Sequence, residues 1–166
     1  MAFATPAAAS DADWATASGV VRTALVAAAI GVPAVDGDWQ GTRQAVHSVG
    51  AAFLVTVALK ETFPSVRPDG NGNDSFPSGH TSASFAAAAT LTRRRGLAIG
   101  IPAHIAAAFV GVARVQAHRH RWGDVLVGAV IGEASGQLLT SRRQTGIAVI
   151  PWGDLSGGGI TVAARF

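Results

Sequence analysis

Between residues 19 and 140 one texture repeats, in which alanine-rich apolar stretches with helical spacing are each closed by glycine, proline or arginine. Val20, Val21, Leu25, Ala28 and Ala29 predict a first amphipathic helix over 19–30, ended around 31–33 by a Gly-Val-Pro run. A second helix is expected from near Asp38 to about Phe63, stopped by Pro64 and carrying Lys60 in its last turn. A third runs from His80 to about Thr92, a fourth from Leu97 to about His118, and a fifth from Trp122 to about Thr140. The fold class is therefore an all-α helical bundle. Past Arg143 two short runs rich in β-branched residues flank Gly-Asp-Leu-Ser-Gly-Gly, which predicts a β-hairpin over about 145–166. Capping the bundle is the favoured role for it, ahead of lending an edge strand to a partner. Residues 1–166 read as one domain with its helical core over about 17–140.

Composition removes several function classes. With 49% apolar and 14% charged residues the chain is not disordered, and without cysteine it has neither a disulfide framework nor a thiolate metal site. The net charge of +3 is small, and the clusters Arg93–Arg95 and Arg142–Arg143 have no interleaved aromatics, so no nucleic-acid partner is expected. Mean hydropathy is +0.33, which raises the question of a membrane. From His80 to Arg93 lie only about a dozen residues, roughly 18 Å of helix against a bilayer core of about 30 Å. The other stretches are interrupted by Arg22, His47, His104 and Glu133. They read as buried helices, and the protein as soluble or membrane-peripheral. Residues 1–10 are small and alanine-rich with no positive n-region, consistent with the remnant of a removed leader and a periplasmic or secreted location. Integral inner-membrane placement is the alternative.

Residues 64–79 form a long polar loop dense in turn formers, and loops of that length in compact domains are often functional. Around it three polar clusters interrupt apolar helix ends: Lys60 with Arg67-Pro68; Pro77-Ser78-Gly79-His80; and Arg114 with His120 and Asp124. Singly each has a plain structural explanation, such as a solvated helix end or an ordinary cap. Together they describe an oxyanion site with its own proton-transfer groups. Ser78 and Gly79 stand where the third helix opens, so their backbone N–H groups are expected to face an anion with the helix dipole behind them. If the fifth helix has begun by His120, Asp124 lies on the same face, accepts a proton from one imidazole nitrogen and leaves the other free as a nucleophile.

The full spacing, Lys60-x6-Arg67-Pro68, Pro77-Ser78-Gly79-His80 and Arg114-x5-His120-x3-Asp124, resembles the tripartite signature of the type-2 phosphatidic acid phosphatase superfamily. That superfamily includes lipid phosphate phosphatases, bacterial class A acid phosphatases and vanadium-dependent haloperoxidases, all built on a helical core. The resemblance extends from Lys60 to about Leu139. It implies that His120 attacks phosphorus to form a phosphohistidine while Asp124 orients it. It further implies that His80 protonates the leaving oxygen and later activates water, and that Lys60, Arg67, Ser78, Gly79 and Arg114 hold the phosphate oxygens. No metal and no cofactor are called for. One departure is Ala113, where the family usually has serine, a change that removes one hydroxyl near the phosphate.

The expected activity is hydrolysis of a phosphomonoester or diphosphate, with a phosphorylated small molecule or lipid as partner. A vanadium haloperoxidase using His120 as vanadate ligand is the alternative enzyme, disfavoured by chain length; a non-catalytic phosphate- or lipid-binding helical module is the alternative of another class. His118, with Arg119 and Arg121, is assigned to the pocket rim. His47 and His104 read as core or surface residues, and Trp122 as core.

Overall fold

The computed structural model describes residues 9–143, 146–154 and 157–165. Five helices follow one another: α1 (Asp11–Val35), α2 (Trp39–Thr62), α3 (Gly79–Arg95), α4 (Leu97–Gln116) and α5 (Trp122–Leu139). Two strands, β1 (Gly146–Asp154) and β2 (Gly157–Arg165), complete the chain and pair antiparallel, with Val149 opposite Val162. The expected all-helical core and terminal hairpin are both present. Among the described residues neither strand packs on a helix, which corrects the capping role expected of the hairpin. Trp152, Ile160 and Val162 stay exposed on it.

α1 is longer at both ends than its periodicity predicts. Its start is set by a capping box, in which Ser10 Oγ accepts from Asp13 N–H at 3.2 Å and Asp13 Oδ2 accepts from Ser10 N–H at 2.9 Å. Pro33 does not end it, because a proline this close to a C-terminus removes a single intrahelical bond. The helix closes two residues later, where Gly37 takes a positive φ of 69° and Asp38 N–H bonds the Pro33 carbonyl at 2.8 Å.

The helices run alternately up and down. At one end His118 Nδ1 meets Asp11 Oδ2 at 2.9 Å; at the other, Arg94 pairs with Asp38, Arg95 with Asp36, and Gln44 Nε2 donates to Ser141 Oγ at 2.9 Å. α3 is the central helix and packs on the other four. Its run Ala86–Ala89 is fully buried. Opposite it on α5, Gly128, Gly132 and Gly136 repeat every fourth residue, and a Cβ on Gly132 would sit 2.2 Å from the Ser82 carbonyl oxygen. Small residues at that spacing let two helix backbones approach closely.

The bundle is filled by small side chains. The buried apolar residues are alanines apart from Leu25, Leu91, Val110 and Val125, and between them lie hydroxyl pairs: Thr56 with Ser82 at 2.9 Å, Ser48 with Thr140 at 3.1 Å and Thr90 with Thr140 at 3.2 Å. The large apolar residues point the other way: Phe53, Leu54, Leu97, Ile101, Ile105, Leu126 and Val130 are exposed. This corrects the reading of the apolar stretches as buried helices. α1 and α4, at 25 and 20 residues, are long and apolar enough to cross a membrane, and only 22% and 39% of their most apolar windows are buried. The physical reason is that alanine, glycine, serine and threonine fill most of the space between closely approached helices, which leaves little interior for leucine, isoleucine and phenylalanine beyond Leu25 and Leu91.

Candidate active site

The up-down topology gathers the ends of α2 and α4 with the starts of α3 and α5. Lys60 comes from the last turn of α2, Gly79 and His80 from the first turn of α3, Arg114 from the last turn of α4, and Asp124 from the first turn of α5. Arg67 and His120 stand on the two connecting loops. All the expected site residues thus meet at one end of the bundle.

Those loops are stitched to each other. Asp69 N–H bonds the His118 carbonyl at 3.0 Å, Arg121 Nη1 donates to the Val66 carbonyl at 2.8 Å, and Arg119 Nη1 pairs with Asp69 Oδ2 at 3.0 Å. The α2–α3 loop folds back on itself, since Ser65 N–H bonds Asn73 O at 2.8 Å and Ser75 N–H bonds Ser65 O at 2.9 Å. Gly70 and Gly72, both at positive φ, make the turn between those arms. The fold-back sets Asp74 against the site: its carboxylate pairs with Arg67 Nη2 at 2.8 Å, and its backbone carbonyl accepts from Lys60 Nζ. Burial pushes the Asp74 carboxyl up, but Arg67 and Lys60 outweigh it and hold the group below its ordinary range.

His120 is 3% exposed, and its Nδ1 lies 2.8 Å from the Ser75 carbonyl oxygen. A carbonyl only accepts, so Nδ1 carries the proton and the lone pair of a neutral ring is at Nε2. Burial, then the charges of Arg114 and Lys60, push the imidazole down to about 4 despite the Ser75 carbonyl and Asp124. The ring is therefore neutral at pH 7. α5 begins only at Trp122, so the condition that His120 already belongs to the helix is not met. Asp124 Oδ2 is 3.7 Å from Nδ1, beyond a hydrogen bond, and instead accepts from Ser75 Oγ at 2.6 Å and from Arg121 N–H at 2.9 Å. The carboxylate thus holds Ser75 and the helix start, and Ser75 holds the histidine.

Ser78 also departs from expectation. It is fully buried, its N–H donates to the Asp124 carbonyl at 3.0 Å, and its Oγ accepts from Thr81 Oγ1 at 2.9 Å. The backbone donor assigned to an anion is spent on tying α3 to α5. Gly79 and His80 follow it into the open site, where both line a cavity of about 810 Å3. Arg114, Arg22, His120 and Arg67 all lie within electrostatic reach of His80. Nε of Arg67 and Nε of Arg114 are buried with no hydrogen-bond partner.

The cavity is a groove between α1 and α2. From Lys60, Gly79 and His80 at its mouth it runs down past Val57, Phe53 and Val26 to Val46 and Ile30, and its walls are apolar. Ser75, Asp74 and Arg22 belong to the site and were not singled out by sequence spacing. Arg22 carried a signal, as a lone cation inside an apolar helix; Ser75, one more polar residue in a polar loop, carried none. Trp122 is 53% exposed, which corrects its assignment to the core, and His118 is exposed at the rim with φ of 50°. His104 bridges α4 and α5 through Glu133 at 2.9 Å, far along the helices from the site. Ala113 is fully buried in α4. Among the described residues no group of three or more His, Asp or Glu stands together as a metal-ligand set.

A sequence model of the PAP2 superfamily matches residues 41–147. The chain is similar to lipid A 1-phosphatase of Porphyromonas gingivalis, 37% identical over 84 residues that make up 49% of this chain and 19% of that protein. It is also similar to lipid phosphate phosphatase 2 of Arabidopsis thaliana, 36% identical over 132 residues, 68% of this chain and 42% of that protein. It spans less than half the length of either relative. Its fold is similar to the crystal structure of Aquifex aeolicus LpxE, with a TM-score of 0.67 and 22% identity over 78% of this chain and 84% of that one. A transmembrane PAP2-type phosphatidylglycerolphosphate phosphatase from Bacillus subtilis gives 0.62 and 23%, over 78% and 74%. The family match takes in every residue of the three clusters, from Lys60 to Asp124, and more than half of the sequence: the chain belongs to the PAP2 superfamily.

Proposed function

We propose that the protein is a metal-independent phosphatase that hydrolyses a phosphomonoester or diphosphate carried by a lipid, through a phosphohistidine intermediate, in a membrane. The observation that carries this reading is the combination at one spot of two buried guanidinium N–H donors without partners, on Arg67 and Arg114, with a neutral histidine whose Nδ1 is committed and whose Nε2 is bare. Unpaired buried donors are costly unless an acceptor completes them, and a phosphoryl group supplies oxygens for both.

In this mechanism the phosphate enters as its monoanion and passes its proton to His80, which burial and the nearby Arg114 keep neutral in the free enzyme. The His120 Nε2 lone pair then attacks phosphorus and the bond from phosphorus to the leaving oxygen breaks, with His80 giving that oxygen its proton. Water then attacks the phosphohistidine, the P–N bond breaks, and His80 takes the proton released by the water. Lys60, Arg67 and Arg114 stabilise the charge on the equatorial oxygens, which is the role a metal ion plays elsewhere. Gly79, with no side chain over the mouth of the groove, leaves the first turn of α3 open to the same oxygens.

The apolar groove leading from the phosphate site supports a lipid as the carrier, as does the similarity to a lipid A 1-phosphatase and a lipid phosphate phosphatase. A bilayer location is supported by the inverted distribution of side chains, with alanine and hydroxyls inside and large apolar residues outside. The cations that take no part in the site favour one end: Arg43, Arg93, Arg94, Arg95, Arg142 and Arg143 lie opposite the site, against Arg119 and Arg121 beside it. Positive charge marks the cytoplasmic side, so the site faces the periplasmic one.

The test is inorganic phosphate release by the full chain in detergent micelles containing chelator, from a diacylglycerol phosphate and from a water-soluble aryl phosphate. Chelator-resistant release, faster from the lipid, is expected. Release from neither by folded protein sinks the reading, and release that chelator abolishes sinks its metal independence. The pH profile is a second check. Protonation removes the Nε2 lone pair, so kcat/KM for the free enzyme falls as pH drops through about 4, well below the ordinary imidazole value of 6.5. An acid limb at 6.5 or above would show that His120 is not held neutral by its surroundings.

A further inference from the structure

Arg22 sits in the same groove as Lys60, Gly79 and His80, on the α1 wall that the three sequence clusters do not touch. It is half-buried, surrounded in that groove by Thr23, Val26, Val49, Phe53 and Val57. Among the described residues it has no ion-pair partner and makes no side-chain hydrogen bond. Its neighbours in sequence explain nothing about it, since an alanine at this position would continue the apolar face of α1. A cation kept in an apolar groove without a carboxylate costs free energy, and such a residue commonly marks a functional site.

The charge balance says what it is for. Arg67 is paired with Asp74 and Arg119 with Asp69, while the Asp124 carboxylate keeps its charge on the Nδ1 side of His120, bonded to Ser75 Oγ and Arg121 N–H. That leaves Lys60 and Arg22 on the groove, and Arg114 within electrostatic reach of His80 at its mouth, with no carboxylate at ion-pair distance among the described residues. A phosphomonoester brings roughly two negative charges, which Lys60 and Arg114, together with the unpartnered Nε of Arg67, meet at the reacting phosphorus. A diphosphate brings one more, and it must lie on the tail side of the reacting phosphorus, because the terminal phosphate is the one His120 can attack. Arg22 occupies that side. Along α2 the groove extends from Lys60 to Val46, roughly 21 Å of helix, so the apolar tail continues past Arg22 between α1 and α2.

We infer that Arg22 is a specificity-determining residue that binds the inner phosphate of a lipid diphosphate, selecting it over the corresponding monophosphate. This rests on the phosphatase reading above and goes beyond it by naming the group recognised and the residue that reads it.

The experiment compares farnesyl diphosphate with farnesyl monophosphate, identical in tail, for the full-length wild type and for Arg22→Gln and Arg22→Lys, in the same micelles. The wild type is expected to favour the diphosphate in kcat/KM. Arg22→Gln is expected to lose about tenfold or more on the diphosphate, mainly in KM, with a clearly smaller loss on the monophosphate, as removal of one charge-assisted contact predicts. Arg22→Lys should recover part of the difference, which a merely structural role for the guanidinium would not produce. Equal losses on the two substrates, or a wild type without preference, overturn the inference and leave the phosphatase reading standing. Turnover of neither substrate, nor of any lipid monophosphate, overturns both.

Discussion

His120→Asn is expected to lower phosphate release from a lipid phosphate by about four orders of magnitude or more, the scale seen when a covalent nucleophile is removed. Asparagine is the informative replacement because its amide N–H lies about where Nδ1 does and can still donate to the Ser75 carbonyl, now 2.8 Å from the ring. His120→Ala leaves that buried carbonyl without a donor and adds a destabilisation of about 1–3 kcal/mol to the same loss of turnover. The two variants separate chemistry from folding: thermal unfolding in detergent should place Asn close to wild type and Ala below it, with both inactive. Lys60, Arg67 and Arg114 remain in each, so inorganic phosphate still inhibits or binds. Substantial turnover in His120→Asn would mean that water, not the imidazole, attacks phosphorus. A phosphoryl group trapped on His120 after acid or alkaline quench, and absent in the variant, is the direct chemical counterpart.

The second large effect concerns a residue with no chemistry. A methyl group on Gly128 would lie 2.6 Å from the Ser78 carbonyl oxygen, and one on Gly132 would lie 2.2 Å from that of Ser82. In both cases the obstacle is backbone, which cannot rotate away as a side chain does, so α5 must move off α3. Gly132→Ala is expected to cost about 1–3 kcal/mol or more by overpacking, a large share of the stability of most domains. Gly128→Ala adds a functional loss, because the displaced Ser78 N–H is bonded to the Asp124 carbonyl and the residues that follow it are Gly79 and His80. Activity per folded molecule should therefore drop further in Gly128→Ala than in Gly132→Ala. At Gly123 on the same helix a Cβ would meet nothing within 4 Å, and Gly123→Ala should be neutral or slightly stabilising through helix propensity alone. If thermal unfolding ranked the three variants equally, close backbone contact between α3 and α5 would not be what orders them.

Much of this molecule follows from local rules. Helical spacing and Pro64 after α2 place α2 to α5 within a few residues, and the three clusters place eight site positions on helix ends and on the two loops between them that an up-down bundle brings together. The start of α1 was also available, in Ser10 and Asp13, but a capping box is easily overlooked in alanine-rich sequence. What spacing could not supply was the partner of each polar group. His120 and Asp124 are four apart in sequence, yet the imidazole proton goes to Ser75, forty-five residues upstream, because α5 starts two residues too late for a helical pair. Ser78 has the sequence of an anion-binding helix start and spends its N–H on Asp124 instead.

Burial was the other quantity that sequence could not decide. An apolar, alanine-rich helix has the same composition whether its leucines face a core or a bilayer, so periodicity alone favoured the more familiar soluble bundle. Only the packed helices show that glycine and alanine occupy the seams, at distances too short for larger residues, and that the bulky side chains are turned outward. The sequence by itself determined which residues carry charge, protons and helix ends; the tertiary structure decided which of them touch, because hydrogen-bond partners and burial arise between segments that no local spacing relates.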